Sequence, residues 1–387
     1  MQNNFKMLAK TLFGFESLLA RELRNMGAVN VKEGVRSVSF EGDKGFMYKA
    51  NMGLRTAIKI LKPIRSFHVA NEMDLYNQVK RFGWEQYLKA EGTLAIDATV
   101  HSQVFTHSKY VALKVKDAIV DRYRENEGTR PNIDLKFPDL RVNVHIDRNR
   151  CTLSLDTSGQ SLHQRGYKTA TNIAPINEVL AAGMIMLSGW DGQTDFMDPM
   201  CGSGTILAEA AMIACNIPPN LMRKEFAFER WQDWDVDLFE TIEESLLKKT
   251  REFHHKIVGY DKSTSAVRKA KANIKNAHLE DFISIAHEDF FKTKKTTEGP
   301  LTMVFNPPYG ERLELLNISE FYGDLGTTLK HGYPGTEAWF ITSNLEALKH
   351  VGLRPSKKIK LFNAKLESRL VMYQMYEGSK KAKKKMS

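Results

Sequence analysis

A run of β-forming residues, Leu301-Thr-Met-Val-Phe305, stops at Asn306-Pro307-Pro308-Tyr309-Gly310. No strand continues through two prolines, because each lacks the N–H that a sheet ladder needs. The run therefore predicts a buried strand that leaves its sheet at Asn306. At such an end the Asn306 side-chain oxygen and a main-chain carbonyl released from pairing can each accept one hydrogen of an exocyclic amine, and the Tyr309 ring can stack on a flat base. The lone pair of such an amine is delocalised into its π-system. Two acceptors would favour a pyramidal nitrogen and stabilise the positive charge that develops when it attacks an electrophile. A Pro-Pro pair is also an ordinary loop breaker, so this reading needs context.

The context lies upstream. Thr194-Asp-Phe-Met-Asp198 leads into Pro199-Met-Cys201-Gly202-Ser-Gly204-Thr205 and then the apolar stretch Ile206 to Ala214, which predicts strand, glycine turn and helix. Gly202 and Gly204 permit a tight turn and the approach of a ligand to main-chain N–H groups at a helix start. Lys256-Ile-Val-Gly-Tyr-Asp261 predicts a second strand and Phe282 to Ala286 a third, reaching Asp289 and Phe290. Four successive strands would thus end at Asp198, Asp261, Asp289 and Asn306, and in a parallel sheet such ends share one crevice. Each acid taken alone reads first as a cap or turn residue.

Asp-Pro-Met-Cys-Gly-Ser-Gly-Thr, Gly-Tyr-Asp-Lys-Ser, Glu-Asp-Phe-Phe and Asn-Pro-Pro-Tyr-Gly resemble the successive motifs of class I S-adenosylmethionine-dependent methyltransferases of the amino-methylating type. The resemblance implies that Asp198, Pro199, Cys201, Gly202, Gly204 and Thr205 line the cofactor. It implies that Asp261 with Lys262 holds the ribose, Asp289 and Phe290 hold the adenine, and Asn306, Pro307, Pro308 and Tyr309 orient the target amine, with Asn306 also touching the cofactor. Arg165-Gly-Tyr167-Lys168 and Ala174-Pro175-Ile-Asn177-Glu178 resemble the segment that closes over the cofactor. Ala174, Pro175 and Asn177 are expected at the cofactor and Arg165, Tyr167 and Lys168 at RNA.

Between Cys215 and Lys256 the chain departs from the minimal pattern with an insertion, Phe226-Ala-Phe-Glu-Arg-Trp-Gln-Asp-Trp234. It is similar to the insertion of bacterial large-subunit rRNA methyltransferases that carry a THUMP domain and make N2-methylguanosine in the peptidyl-transferase region. Trp231 and Trp234 read first as packing residues of an extra helical hairpin, with base stacking as the alternative. Phe105 to Asp117, Val142 to Asp147 and Leu153 to His163 resemble THUMP sequences, and residues 1 to 60 resemble the small ferredoxin-like domain of such enzymes.

The expected architecture is α/β. Residues 1–60 form a ferredoxin-like α+β domain, 61–163 a THUMP domain, and 164–378 a doubly wound seven-stranded sheet with its last strand antiparallel; 379–387 form a basic disordered tail. The last two strands, Lys357 to Phe362 and Leu370 to Tyr376, are joined too closely for a helical crossover, which is why the final one is expected to run antiparallel. Some relatives are fused to a second methyltransferase. This chain ends after one, so a single methylation is expected.

Charge fits a polyanionic partner. Residues 1–165 hold 26 Lys and Arg against 18 Asp and Glu, while residues 166–375 hold 25 against 27. The expected partner is 23S rRNA or a pre-ribosomal particle, with S-adenosylmethionine as cofactor and no obligate protein partner. Three cysteines without zinc spacing predict a reducing compartment and no metal. No apolar run approaches membrane length and no secretory signal is present, which predicts a cytoplasmic protein. Asn-Pro-Pro-Tyr also occurs in methyltransferases acting on adenine N6 or on a glutamine side chain, so it fixes the group attacked and not its owner. The nearest rivals are a tRNA guanine-N2 methyltransferase sharing both N-terminal domains and a noncatalytic ribosome-assembly protein.

Overall fold

The computed structural model describes residues 4–169, 175–308 and 318–376. The chain forms two compact units, and neither is continuous in sequence. The first comprises residues up to Thr11, Leu19–Leu162 and Arg223–Glu244, and the second comprises Leu12–Leu18, His163–Met222 and the chain from Ser245 onward.

The strands of the first unit are β1 (Phe5–Thr11), β2 (Val29–Gly34), β3 (Ser37–Gly42), β4 (Ala57–His68), β5 (Thr93–His101), β6 (Asn132–Ile133), β7 (Leu140–Asp147) and β8 (Arg150–Asp156). They join in one eight-stranded sheet of order β2-β3-β1-β4-β8-β7-β5-β6. Its helices are α1 (Glu16–Met26), α2 (Lys44–Gly53), α3 (Glu72–Lys80) and α4 (Ser108–Glu127). Asp43 caps α2 by accepting the Phe46 N–H, and Asn71 caps α3 through the Asp74 N–H. Strands alternate as a sheet with one covered face demands: in β7, Leu140, Val142, Val144 and Ile146 are buried and the residues between them are not.

The tryptophan insertion belongs to this first unit. Phe228 stacks on Phe226 at 5.2 Å and meets Tyr48 of α2 at 4.6 Å, while Trp234 closes the cluster against Tyr48 at 5.3 Å. Arg223 donates to the carbonyls of Ser158, Gln160 and Ser161. Both Trp231, which is buried, and Trp234 are thus packing residues.

The second unit holds β9 (Asp195–Asp198), β10 (Ile257–Asp261), β11 (Ile283–His287), β12 (Leu301–Phe305), β13 (Thr336–Thr342), β14 (Lys357–Asn363) and β15 (Leu366–Gln374). Its helices are α5 (Glu178–Ser188), α6 (Thr205–Ala214), α8 (Thr264–Asn276) and α9 (Ile318–Gly332), with α7 (Val236–Leu247) preceding β10 in the chain. The sheet order is β11-β10-β9-β12-β13-β15-β14; β9 to β13 are parallel and β15 is antiparallel to both β13 and β14. This is the doubly wound class I methyltransferase arrangement, with the expected reversed final strand. Strand β12 is buried on both faces, as a central parallel strand must be. Residues 12–18 pack here: a Cβ on Gly183 of α5 would lie 2.2 Å from the Phe15 ring, so only glycine admits that ring.

Candidate functional site

Strands β11, β10, β9 and β12 are neighbours in the sheet, so their carboxyl ends lie side by side. Asp198 is the last residue of β9 and is 1% exposed. Burial pushes its carboxyl well above the usual carboxylate range; the Met200 N–H that it accepts opposes this, and the nearby Asp261 charge adds to it.

The chain then turns through Gly202 and Gly204, at φ +56° and +80°. Both angles favour glycine, and at Gly204 a Cβ would also press on Ala270 of α8 at 3.2 Å. Hydrogen bonds within the loop and to its neighbours tie it down. Cys201 N–H donates to the Tyr260 carbonyl, Gly204 N–H to the Cys201 carbonyl, and Gly202 N–H to Asp261 Oδ2. The Cys201 thiol is buried, which raises its pKa well above the ordinary value and suits lining better than nucleophilic chemistry. Thr205 opens α6 with Gly204 as its cap.

Asp261 ends β10. Its Oδ1 accepts the Ser263 N–H at 2.9 Å, so each carboxylate oxygen has one protein donor and retains acceptor capacity. Lys262 is exposed, and its carbonyl meets His287 Nε2 at 2.9 Å. Asp289 stands two residues beyond β11 and accepts the Phe291 N–H. Phe290, expected at the adenine, is buried, with its ring 5.3 Å from Tyr333 and 6.4 Å from Phe305.

Asn306 follows β12 directly. In register Met303 pairs with Met197, so Asn306 stands two residues beyond the level of Asp198. Its Oδ1 is shut off from solvent and accepts no hydrogen bond among the described residues. Pro307 is buried and Pro308 half-buried. Tyr309 and Ala174 lie outside the described residues. Pro175 is exposed, and Asn177 is the cap of α5, accepting the Leu180 N–H at 3.2 Å.

The residues expected at RNA point inward. Arg165 is 1% exposed and pairs with the buried Glu209 of α6 at 3.1 Å, and it also reaches Asn220. Tyr167 is buried. Lys168 pairs with Glu178 at 2.8 Å and donates to the Ile176 carbonyl. A guanidinium and an ammonium so enclosed need carboxylate partners, and those partners occupy the groups that RNA would require. Glu178 ends the segment that resembles the cofactor-closing one, whereas Glu209 is not marked out by any motif. Glu209 had a legible signal, a lone acid within the apolar helix Ile206 to Ala214. Asn273, buried on the same face of α8 as Ala266 and Ala270, was missed as well.

Among the described residues no group of three or more His, Cys, Asp or Glu could hold a metal ion, and no helix is long and apolar enough to cross a membrane.

Known proteins share these features. Residues 165–372 match the RMKL-like methyltransferase domain, 69–156 the THUMP domain, and 6–61 the RlmL ferredoxin-like domain. The chain is 39% identical to a ribosomal RNA large subunit methyltransferase K/L of Cellvibrio japonicus, covering 93% of this chain and 50% of that protein. It is 34% identical to a putative RNA methyltransferase of Synechocystis, covering 94% and 95%. The chain spans about half the length of the K/L relatives it matches. Among solved structures, a possible methylase from Clostridium difficile superposes with TM-score 0.87 at 31% identity, over 98% of this chain and 100% of that one. SMU.472, a putative methyltransferase complexed with SAH, superposes with TM-score 0.86 at 26% identity, over 98% and 100%. With one domain model matching more than half of its residues and the two N-terminal domains matching in order before it, the chain belongs to the RMKL-like methyltransferase family.

Proposed function

We propose that this protein transfers a methyl group from S-adenosylmethionine to the exocyclic N2 of a guanine in large-subunit rRNA, in the peptidyl-transferase region, giving N2-methylguanosine in the cytoplasm. The observation that carries the reading is the solvent-shielded Asn306 Oδ1, an acceptor without a donor among the described residues, at the strand end next to the one that the glycine turn follows. A buried acceptor left unpaired costs about 1–3 kcal/mol, a cost that an amine hydrogen of the substrate would relieve.

The residues present fit the cofactor. The left-handed glycines leave a cradle without side chains, Asp261 keeps acceptor capacity for two hydroxyls, and Asp198 stands at the adjacent strand end. When bound, S-adenosylmethionine supplies an electrophilic sulfonium methyl. Asn306 Oδ1 accepts one N2 hydrogen and a main-chain carbonyl freed by the prolines accepts the other, so the nitrogen lone pair is aimed and its developing charge stabilised. The proton leaves to water, because a methylated aryl ammonium is strongly acidic. The working division is 1–60 and 61–163 for RNA and 164–378 for chemistry, with a guanine turned out of its stack into the pocket.

The decisive experiment compares nucleosides of rRNA and tRNA from a deletion strain with those of the complemented strain. Loss of N2-methylguanosine at one large-subunit position supports the proposal. Loss confined to tRNA, or no loss, overturns it.

A further inference from the structure

Residues 165–169 are fastened to three helices of the second unit. Arg165 binds Glu209 on α6, Lys168 binds Glu178 on α5, and Thr169 binds α8. The last attachment involves two asparagines one turn apart. Asn276 Nδ2 donates to Thr169 Oγ1 at 2.7 Å and to the Tyr167 carbonyl at 3.3 Å, on the outer side of the helix. Asn273 is buried. It accepts the Thr169 N–H on Oδ1 at 3.1 Å and donates from Nδ2 to the Ser203 carbonyl at 3.0 Å.

Ser203 lies between Gly202 and Gly204. Its carbonyl direction fixes the peptide plane shared with Gly204, and with it the direction of a loop N–H. Asp261 holds the same loop at Gly202 from the β10 side, and Ala270, one turn before Asn273, fills the space that a Cβ at Gly204 would take. The glycine loop is therefore held from two sides, and its α8 side is tied through a side chain to the 165–169 segment.

From this we infer that Asn273 is a positioning residue for the cofactor site: one carboxamide sets the Ser203 peptide and locks it to the Thr169 backbone. The inference rests on the cofactor reading above. A side chain that cannot donate to Ser203 leaves that peptide held on its Gly204 N–H side alone, by the Cys201 carbonyl, and ligand binding must then pay to order the loop. Asn276 holds the segment without touching the loop, which makes it the control.

The test is calorimetric titration of the full-length chain with SAH, alongside thermal midpoints. Asn273→Ala is expected to weaken SAH binding by about tenfold or more, the equivalent of one buried hydrogen-bonded contact. Asn273→Asp, isosteric and still able to accept from Thr169, is expected to weaken it similarly because the donor to Ser203 is gone. Asn276→Ala is expected to leave the affinity within about twofold, below the size of a single net hydrogen bond. Affinity retained in Asn273→Asp overturns the inference even if Asn273→Ala fails to fold. Equal weakening in Asn276→Ala also overturns it, since the segment and not the loop would then govern binding. Wild-type protein that binds no SAH removes the cofactor reading itself, whereas binding that survives every variant removes only the role of Asn273.

Discussion

Asp261 Oδ2 accepts the Gly202 N–H at 2.9 Å, so the carboxylate at the end of one strand holds the glycine turn that follows its neighbour. The same residue is therefore both part of the proposed ribose site and a brace for the loop.

Replacing Asp261 by Ala should remove both roles together. We expect SAH affinity to fall by about 10–100-fold, as for a lost hydrogen bond to a charged group. Titration calorimetry reads this directly, and affinity within twofold of wild type would contradict the assignment.

Asn306→Ala should separate chemistry from cofactor binding. Methyl transfer to RNA is expected to drop by about 10²–10³-fold, the scale for loss of one preorganised group that stabilises transition-state charge. SAH affinity should fall far less than the rate of transfer. Labelled-methyl incorporation at full rate would eliminate the amine grip.

Asp198 gives the ligand-free protein a pH signature. Its folded pKa is raised by burial. The stability contributed by the neutral form is complete below the unfolded value, about 3.9, and is lost as pH rises through the folded value. Asn at this position stays neutral, so the wild-type thermal midpoint should fall relative to Asp198→Asn as pH increases from about 4. Parallel midpoint curves would show that the carboxyl titrates normally.

Arg165 should behave as a core residue. Arg165→Met strands the Glu209 carboxylate in the interior and is expected to destabilise the protein by about 3–5 kcal/mol, whereas the double change Arg165→Met with Glu209→Met should recover much of this. Denaturant melts measure both. An RNA-facing arginine would instead lower RNA affinity with little change in stability.

Phe228→Ala should weaken the first unit by about 3–5 kcal/mol through loss of the aromatic cluster with Tyr48 and Trp234. SAH titration with unaltered affinity, beside a lowered melting transition, would place the insertion where the structure puts it.

The seven-stranded sheet is legible because local chemistry and global fold agree along it. Strand runs end at the very acids that the sheet aligns, and Pro307 with Pro308 can only mark an exit. What could not be read were partners distant in sequence. Positive charge reads as exposed, so Arg165 reads as an RNA contact in the sequence, where nothing local shows that Glu209, 44 residues away, is its partner. Phe290 likewise follows an acid at a strand end, yet its ring turns toward Tyr333, a choice made by core volume and not by local pattern. The insertion's aromatics announced burial without naming Tyr48, 180 residues earlier, as what they are buried against.

Residues 12–18 fold with the second unit and residues 223–244 with the first, so each half of the gene contributes a piece to the other's core. A protein cut after residue 163 would leave Gly183 facing an empty slot and strip Phe228 and Trp234 of Tyr48. Neither stretch of chain could be moved into another protein alone without first rebuilding an interior.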